Sequence, residues 1–169
     1  CGAGHIALPL SVFGKILNFD VTVIDNRPEF ANAKRFPHAD HIVVGPHARE
    51  LAKLTLTQDT FVMVVTQGNE FDYECLRVAL NAPVGYLGVI SSKPKRVKFF
   101  KRLQGEGVSQ DRFAKVKIPA GLDIGAQTPE EIAISIIAEM TAVLRSEKIG
   151  TDKFKERFQK LFKHERARQ

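Results

Sequence analysis

Apolar and polar positions follow two different patterns along the chain. Runs of apolar or β-branched residues predict strands over residues 20–25, 41–44, 60–65 and 84–90, and the continuous run 60–65 is typical of a strand buried on both faces. Segments with apolar residues three or four positions apart predict helices between them, over residues 5–18, 47–54 and 70–80. The alternation predicts an α/β fold, a Rossmann-like parallel sheet flanked by helices.

The pattern changes after residue 90. Residues 91–102 carry six positive charges and no acid, and Pro94 stands where a helix would begin. A further helix is predicted from Thr128, which caps it, through Pro129 and Glu131, which complete a capping box, to about Lys148. Its apolar face consists of Ile132, Ile136, Ile137, Met140 and Val143.

The end of the chain is predicted to be a separate C-terminal helical extension. We divide the sequence into a Rossmann-like domain, residues 1–148, and a basic amphipathic helical tail, residues 149–169. The apolar stripe of the tail consists of Phe154, Phe158, Leu161 and Phe162. Packing against the domain or a second subunit suits this stripe better than an acidic membrane or a partner groove, because exposed phenylalanines are costly.

Composition fits one domain with an appendage. The chain has 169 residues, 44% of them hydrophobic, and no apolar run is long enough to cross a bilayer. Residues 151–169 supply +4 of the net charge of +6, so this charge does not predict that the domain binds nucleic acid or a membrane. Cys1 and Cys75 fit no disulfide framework or metal motif, so we expect a reducing, cytoplasmic setting.

A glycine turn at the start of the chain is the first candidate for chemistry. Gly2, Gly4 and Ala7 form the pattern G-x-G-x-x-A at the opening of a helix, and Asp25 ends the next strand. In dinucleotide-binding folds such a turn brings backbone N–H groups to a pyrophosphate, and the acid accepts ribose hydroxyls. Asp25 would favour NAD over NADP by repelling a 2′-phosphate. Because such a turn follows a strand, the first strand is apparently missing, and we expect it to precede Cys1.

Two further segments are candidates for ligand contact. Residues 91–96 (SSKPKR) follow a predicted strand, where serines and cations at a helix start suit a phosphate; a solvated helix face is an equally good interpretation. The loop 119–126 contains Gly121 and Gly125, which permit close approach of the backbone to a ligand. Asp123 in this loop is either a buried cap or a site carboxylate, and the structural role is favoured.

Three histidines raise the question of a metal site. His38, His41 and His47 lie near Asp40, but their spacing is loose and they surround an exposed strand, so we expect surface residues. Cys75, inside an apolar helix, is predicted to be a small buried hydrophobe. We therefore predict no metal ligands.

Four stretches resemble the C-terminal Rossmann domain of the XdhC/CoxI family, accessory factors for xanthine dehydrogenase and related molybdenum hydroxylases. They are residues 2–7 (GAGHIA), 23–30 (VIDNRPEF), 86–93 (YLGVISSK) and, most specifically, 119–139 (PAGLDIGAQTPEEIAISIIAE). The resemblance covers residues 1–147.

The resemblance implies a protein that binds molybdenum cofactor (molybdopterin), protects it during sulfuration and delivers it to an apo-hydroxylase such as xanthine dehydrogenase. It also implies a homodimer, with a cysteine desulfurase as a further partner. The candidate cofactor contacts carried over are Gly2, Gly4, His5, Asp25, Arg27, Gly88, Ser91, Ser92, Lys93, Gly121, Asp123 and Gly125, and Ala3 and Arg96 complete the set. Many members have a histidine after the fourth strand, and this chain departs from them with Thr66 to Glu70.

Two other functions are compatible with the glycine turn. An NAD(P)-dependent oxidoreductase would use NAD(P) as its cofactor, but Tyr73 and Tyr86 lack a lysine four residues later, and no space remains for a substrate domain. A nucleotide-sensing module would gate a partner through the final helix. We favour the accessory, non-enzymatic role.

Overall fold

The fold is seen in a computed structural model that describes residues 1–145, except for the side chain of Lys93. The described elements are, in chain order, α1 (Ala7–Ile16), β1 (Thr22–Asp25), β2 (His41–Val44), α2 (His47–Leu51), β3 (Phe61–Val64), α3 (Asn69–Leu80), β4 (Tyr86–Val89), α4 (Lys93–Gly105), α5 (Gln110–Ala114) and α6 (Pro129–Arg145). This order confirms the predicted α/β class. The predicted tail and its boundary lie outside the described residues.

The strands form two parallel pairs that are joined by the start of the chain. β1 pairs with β2, and β3 pairs with β4. Between them, the N–H of Gly2 donates to Ile24 O at 2.7 Å, and the N–H of Val65 donates to Cys1 O at 2.8 Å. The glycine turn therefore lies in the middle of the sheet, at the carboxyl ends of β1 and β3.

A cavity of about 550 Å³ adjoins Cys1 between β1 and β3. Its walls include Val23 from β1, Val62 from β3 and Met140 from α6. Within residues 1–145, no strand occupies this place. Our expectation of a strand before Cys1 stays a prediction.

Alternating side chains along β3 bury both faces of the sheet. Val62 and Val64 belong to a core that includes residues of α3 and α4. Met63, between them, belongs to a second core, which α1 and α6 cover. Both faces are thus buried, as the continuous apolar run 60–65 predicted.

Local capping fixes the start of α6 as predicted. The Glu131 N–H donates to Thr128 Oγ1 at 3.2 Å, and the Thr128 N–H donates to the Glu131 carboxylate at 3.0 Å. The described part of this helix ends at Arg145. No helix in the described part of the chain has both the length and the apolar character that a membrane span requires.

Gly88 has a packing role in the middle of β4. A Cβ at this position would lie 2.7 Å from the ring of Tyr86 and 2.9 Å from Met63 Sδ. The lack of a side chain thus makes room for two buried neighbours. Packing alone thus accounts for a glycine at this position, and its contact with a cofactor stays a prediction.

Replacing Gly88 with alanine is expected to destabilise the fold. Overpacking costs about 1–3 kcal/mol, which exceeds the roughly 0.5–1 kcal/mol that alanine gains over glycine within a strand. Urea denaturation measures the loss. Gly105→Ala is the control, because a Cβ there would meet no atom within 4 Å; equal stability of the two variants would contradict the packing role.

Candidate functional site

The glycine turn is held in a tight conformation by its neighbours. Gly2 has a φ of 104°, and a Cβ there would lie 2.4 Å from Val65 O. Any other residue would combine backbone strain with a clash against the strand end. Gly2 therefore has the turn-forming role that the sequence predicted.

The backbone around Gly4 offers free hydrogen-bond donors. Within the described residues, the N–H groups of Gly4, His5 and Ile6 have no acceptor. The first turn of α1 contains no acid, and a Cβ at Gly4 would meet no atom within 4 Å. Free donors at the positive end of a helix dipole, open to close approach, fit an anionic group.

The carboxylate of Asp25 is buried beside the turn, with 0% of the residue exposed. Its Oδ2 accepts from the Ala3 N–H at 2.7 Å and from Arg27 Nη2 at 2.9 Å. Its Oδ1 accepts from the backbone N–H of Arg27 at 3.0 Å and from Arg27 Nε at 2.9 Å. Both oxygens are thus used internally, which corrects the predicted contact of Asp25 with a ribose.

The same hydrogen bonds set the charge state of Asp25. Burial alone would raise its pKa, but the hydrogen bonds from the Arg27 side chain and from the Ala3 and Arg27 backbone outweigh burial and hold the pKa well below its usual range. Asp25 is therefore ionised throughout the neutral pH range.

Arg27 connects two loops across the turn. Its Nη1 donates to Gln67 Oε1 at 2.6 Å, while its other nitrogens bind Asp25. Its guanidinium carbon lies 3.8 Å from the centre of the Phe30 ring. About a quarter of the side chain (23%) is exposed, so Arg27 also faces any ligand at the turn.

The serines after β4 lie at the same sheet edge. Ser91 Oγ is buried without a partner among the described residues, and Ser92 precedes α4 without a side-chain cap bond. Arg96 Nη1 donates to Ile118 O at 3.4 Å, and its guanidinium carbon lies 6.0 Å from the Phe113 ring centre. Arg96 therefore contacts the 113–118 segment, and the cofactor contacts of Arg96 and Lys93 stay predictions.

Gly121 also has a packing role. It has a φ of 99°, and a Cβ there would lie 2.3 Å from Ser135 Oγ on α6. Its N–H donates to Glu139 Oε2 at 3.0 Å, an atom that also accepts from the Tyr86 hydroxyl at 2.7 Å. Gly121 thus lets the loop pack against α6, and its contact with a cofactor stays a prediction.

The rest of that loop is exposed. Asp123 and Gly125 are both exposed, and a Cβ at Gly125 would meet no atom within 4 Å. Asp123 is therefore not the buried cap that we favoured. Within the described residues, no hydrogen bond connects the loop to the glycine turn.

Comparison with known proteins assigns the family. Residues 1–140 match the family described as the XdhC Rossmann domain. The chain belongs to the XdhC family. The resemblance stated from the sequence motifs is therefore confirmed.

Relatives of this XdhC-family chain are longer proteins. It is 34% identical over 146 residues to the uncharacterized protein YqeB of Escherichia coli, covering 84% of this chain and 26% of that protein. It is 29% identical over 139 residues to a probable xanthine dehydrogenase subunit from Bacillus subtilis, and the match covers 82% of this chain and 40% of that protein. A solved structure, described as a xanthine dehydrogenase from Bacillus halodurans, matches with a TM-score of 0.75 at 36% identity. The match covers 87% of this chain and 42% of that protein. The chain thus spans less than half the length of each.

Two buried groups of this XdhC-family chain were missed by sequence reasoning. His47, expected on the surface, is 4% exposed, and its Nε2 lies 3.7 Å from Asp25 Oδ2. Burial lowers its pKa against the opposing effect of Asp25, so it is neutral at pH 7. Asp72 accepts from Thr66 Oγ1 at 2.6 Å, and burial raises its pKa. The apolar Leu51, one helical turn after His47, was the available signal for burial of that face.

Replacing Asp25 with asparagine is expected to cost about 1–3 kcal/mol of stability at pH 7, because the Ala3 and Arg27 donors lose a charged acceptor. Because the folded-state pKa is lowered, the stabilisation by Asp25 is present above the unfolded-state pKa of about 4 and is lost as pH falls below it. Denaturation at several pH values should show a weaker acid dependence in the variant. Asp40→Asn, which removes an exposed pair with Lys15, is the control; a matching loss there would contradict this account.

Proposed function

We propose that this chain is the Rossmann domain of an accessory protein that binds molybdenum cofactor and delivers it to a molybdenum hydroxylase such as xanthine dehydrogenase. Membership of the XdhC family is the observation that carries the proposal. The name of the Bacillus subtilis relative, a probable xanthine dehydrogenase subunit, supports the same enzyme system.

The chemistry of the glycine turn suits the phosphate of molybdopterin. Among the described residues, the N–H groups of Gly4 and His5 have no hydrogen-bond acceptor, and the buried hydroxyl of Ser91 has no partner. A phosphate supplies the oxygen acceptors that these donors lack. When bound, the cofactor supplies the redox chemistry that the hydroxylase uses, whereas the residues of this chain hold its anionic end.

A non-enzymatic role is part of the proposal. The hydroxyl groups of both tyrosines are committed elsewhere: Tyr73 donates to Glu106 at 2.7 Å, and Tyr86 donates to Glu139 at 2.7 Å. Burial and these carboxylates raise the pKa of both tyrosines, which makes them poor proton donors at neutral pH. These contacts favour a carrier over an NAD(P)-dependent oxidoreductase that uses a tyrosine acid.

The proposal includes the setting of the carrier. A homodimer in the cytoplasm would receive the cofactor, protect it while a cysteine desulfurase supplies sulfur, and release it to the hydroxylase. The family resemblance supports these partners.

Gly4→Leu is expected to reduce cofactor retention at least about ten-fold, because its side chain would enter the open approach to the turn, where a Cβ meets no atom within 4 Å. Molybdopterin that copurifies with the protein is measured after oxidation to a fluorescent pterin. Gly105→Leu, also in open space but on α4, is the matched control.

Delivery is tested by mixing the cofactor-loaded protein with an apo-hydroxylase and measuring the hydroxylase activity that is recovered. Calorimetry with NAD tests the alternative. Tight NAD binding without cofactor retention would overturn the carrier proposal.

A further inference from the structure

Two arginines and a phenylalanine form a cluster beside the glycine turn. The guanidinium carbons of Arg27 and Arg35 lie 3.8 and 5.0 Å from the centre of the Phe30 ring. Arg35 Nη2 also donates to Ala3 O at 3.3 Å, which places it next to the free N–H groups of the turn. We name Arg27, Phe30 and Arg35 the arginine cluster.

The arginine cluster has donors without matching acceptors. Arg35 Nε is buried and has no hydrogen-bond partner among the described residues. The carboxylate of Asp25 cannot serve, because its two oxygens already accept four hydrogen bonds. Glu29 is the other acid that acts on Arg27, and it is exposed. The donor of the arginine cluster that lacks an acceptor among the described residues is therefore Arg35 Nε.

This arrangement selects a class of ligand. In dinucleotide-binding folds, the end of this strand receives either ribose hydroxyls, through a free carboxylate, or a 2′-phosphate, through an arginine. Here both carboxylate oxygens are occupied, and the nitrogens of Arg27 already bind Asp25 and Gln67. Arg35 Nε has no partner among the described residues. A planar guanidinium group can donate two parallel hydrogen bonds to the oxygens of a phosphate, and stacking on an aromatic ring fixes the orientation of the guanidinium.

We propose that the arginine cluster binds a phosphomonoester group of the ligand held at the glycine turn. The group is a dianion with three terminal oxygens, and it comes from either a 2′-phosphorylated adenosine nucleotide or a phosphorylated pterin. This inference rests on the proposed function in placing a ligand at the turn. For a pterin, the arginine cluster and the N–H groups of the turn would hold the same phosphate, because Arg35 lies against Ala3. It reverses the expectation that Asp25 repels such a phosphate.

The test compares two pairs of probes by calorimetry at low ionic strength. The pairs are adenosine 2′,5′-bisphosphate with AMP, and 6-hydroxymethylpterin phosphate with 6-hydroxymethylpterin. In at least one pair, the added phosphate is expected to raise affinity about ten-fold or more, the scale of one charge-assisted hydrogen bond. The pair that shows the gain identifies the source of the phosphate. No gain in either pair would overturn the proposal.

Arg35→Gln assigns the gain to the cluster. It should remove most of the phosphate preference while leaving the affinity for AMP or unphosphorylated pterin nearly unchanged. Lys34→Gln, which removes an exposed neighbouring cation outside the cluster, is the matched control. Equal losses in the two variants, or an Arg35→Gln loss that is the same with and without the phosphate, would overturn the proposal.

Melting temperature and cofactor retention are measured beside the binding affinities. Melting temperatures show whether Arg35→Gln is folded; if it is not, the wild-type comparison still decides whether a phosphate preference exists. Retention of molybdenum cofactor by the wild-type protein without any phosphate preference would refute the arginine cluster as a subsite and leave the proposed function standing.

Discussion

The buried carboxylate of Asp25 is the interaction on which the site depends. It ties together three parts of the chain: the Ala3 peptide of the turn, the end of β1, and the side chain of Arg27. An ionised group without exposure is tolerated only when charged or polar partners replace its water. The turn and Arg27 therefore cannot move independently, because either movement would leave the carboxylate partly unpaired.

This internal pairing determines what the surface offers to a ligand. The acceptors at the end of β1 point inward and are satisfied, whereas the N–H groups of Gly4 and His5 and the guanidinium group of Arg35 retain unused donors. A surface of donors without acceptors favours anions over sugar hydroxyls. The acid that follows the glycine turn therefore binds Ala3 and Arg27 here, whereas in NAD-binding proteins the corresponding acid accepts ribose hydroxyls.

Local sequence predicted the parts of the structure that local physics determines. The glycine turn, the order of the elements and the capping box of Thr128 and Glu131 all follow from residues close together in sequence. The direction of the Asp25 side chain depends on the Ala3 peptide, 22 residues away. The roles of Gly88 and Gly121 likewise depend on Met63 and Ser135, which only the tertiary fold brings close.

The charge states at the site limit how a carrier could release its cargo. Hydrogen bonds lower the pKa of Asp25, its carboxylate raises the pKa of Arg27, and burial lowers the pKa of His47. All three groups therefore keep one charge state across neutral pH, and backbone N–H groups do not titrate in this range. A change of pH near neutrality cannot switch binding off through these groups. For the proposed carrier, competing hydrogen-bond donors on the accepting hydroxylase would offer a route of release that does not depend on these groups.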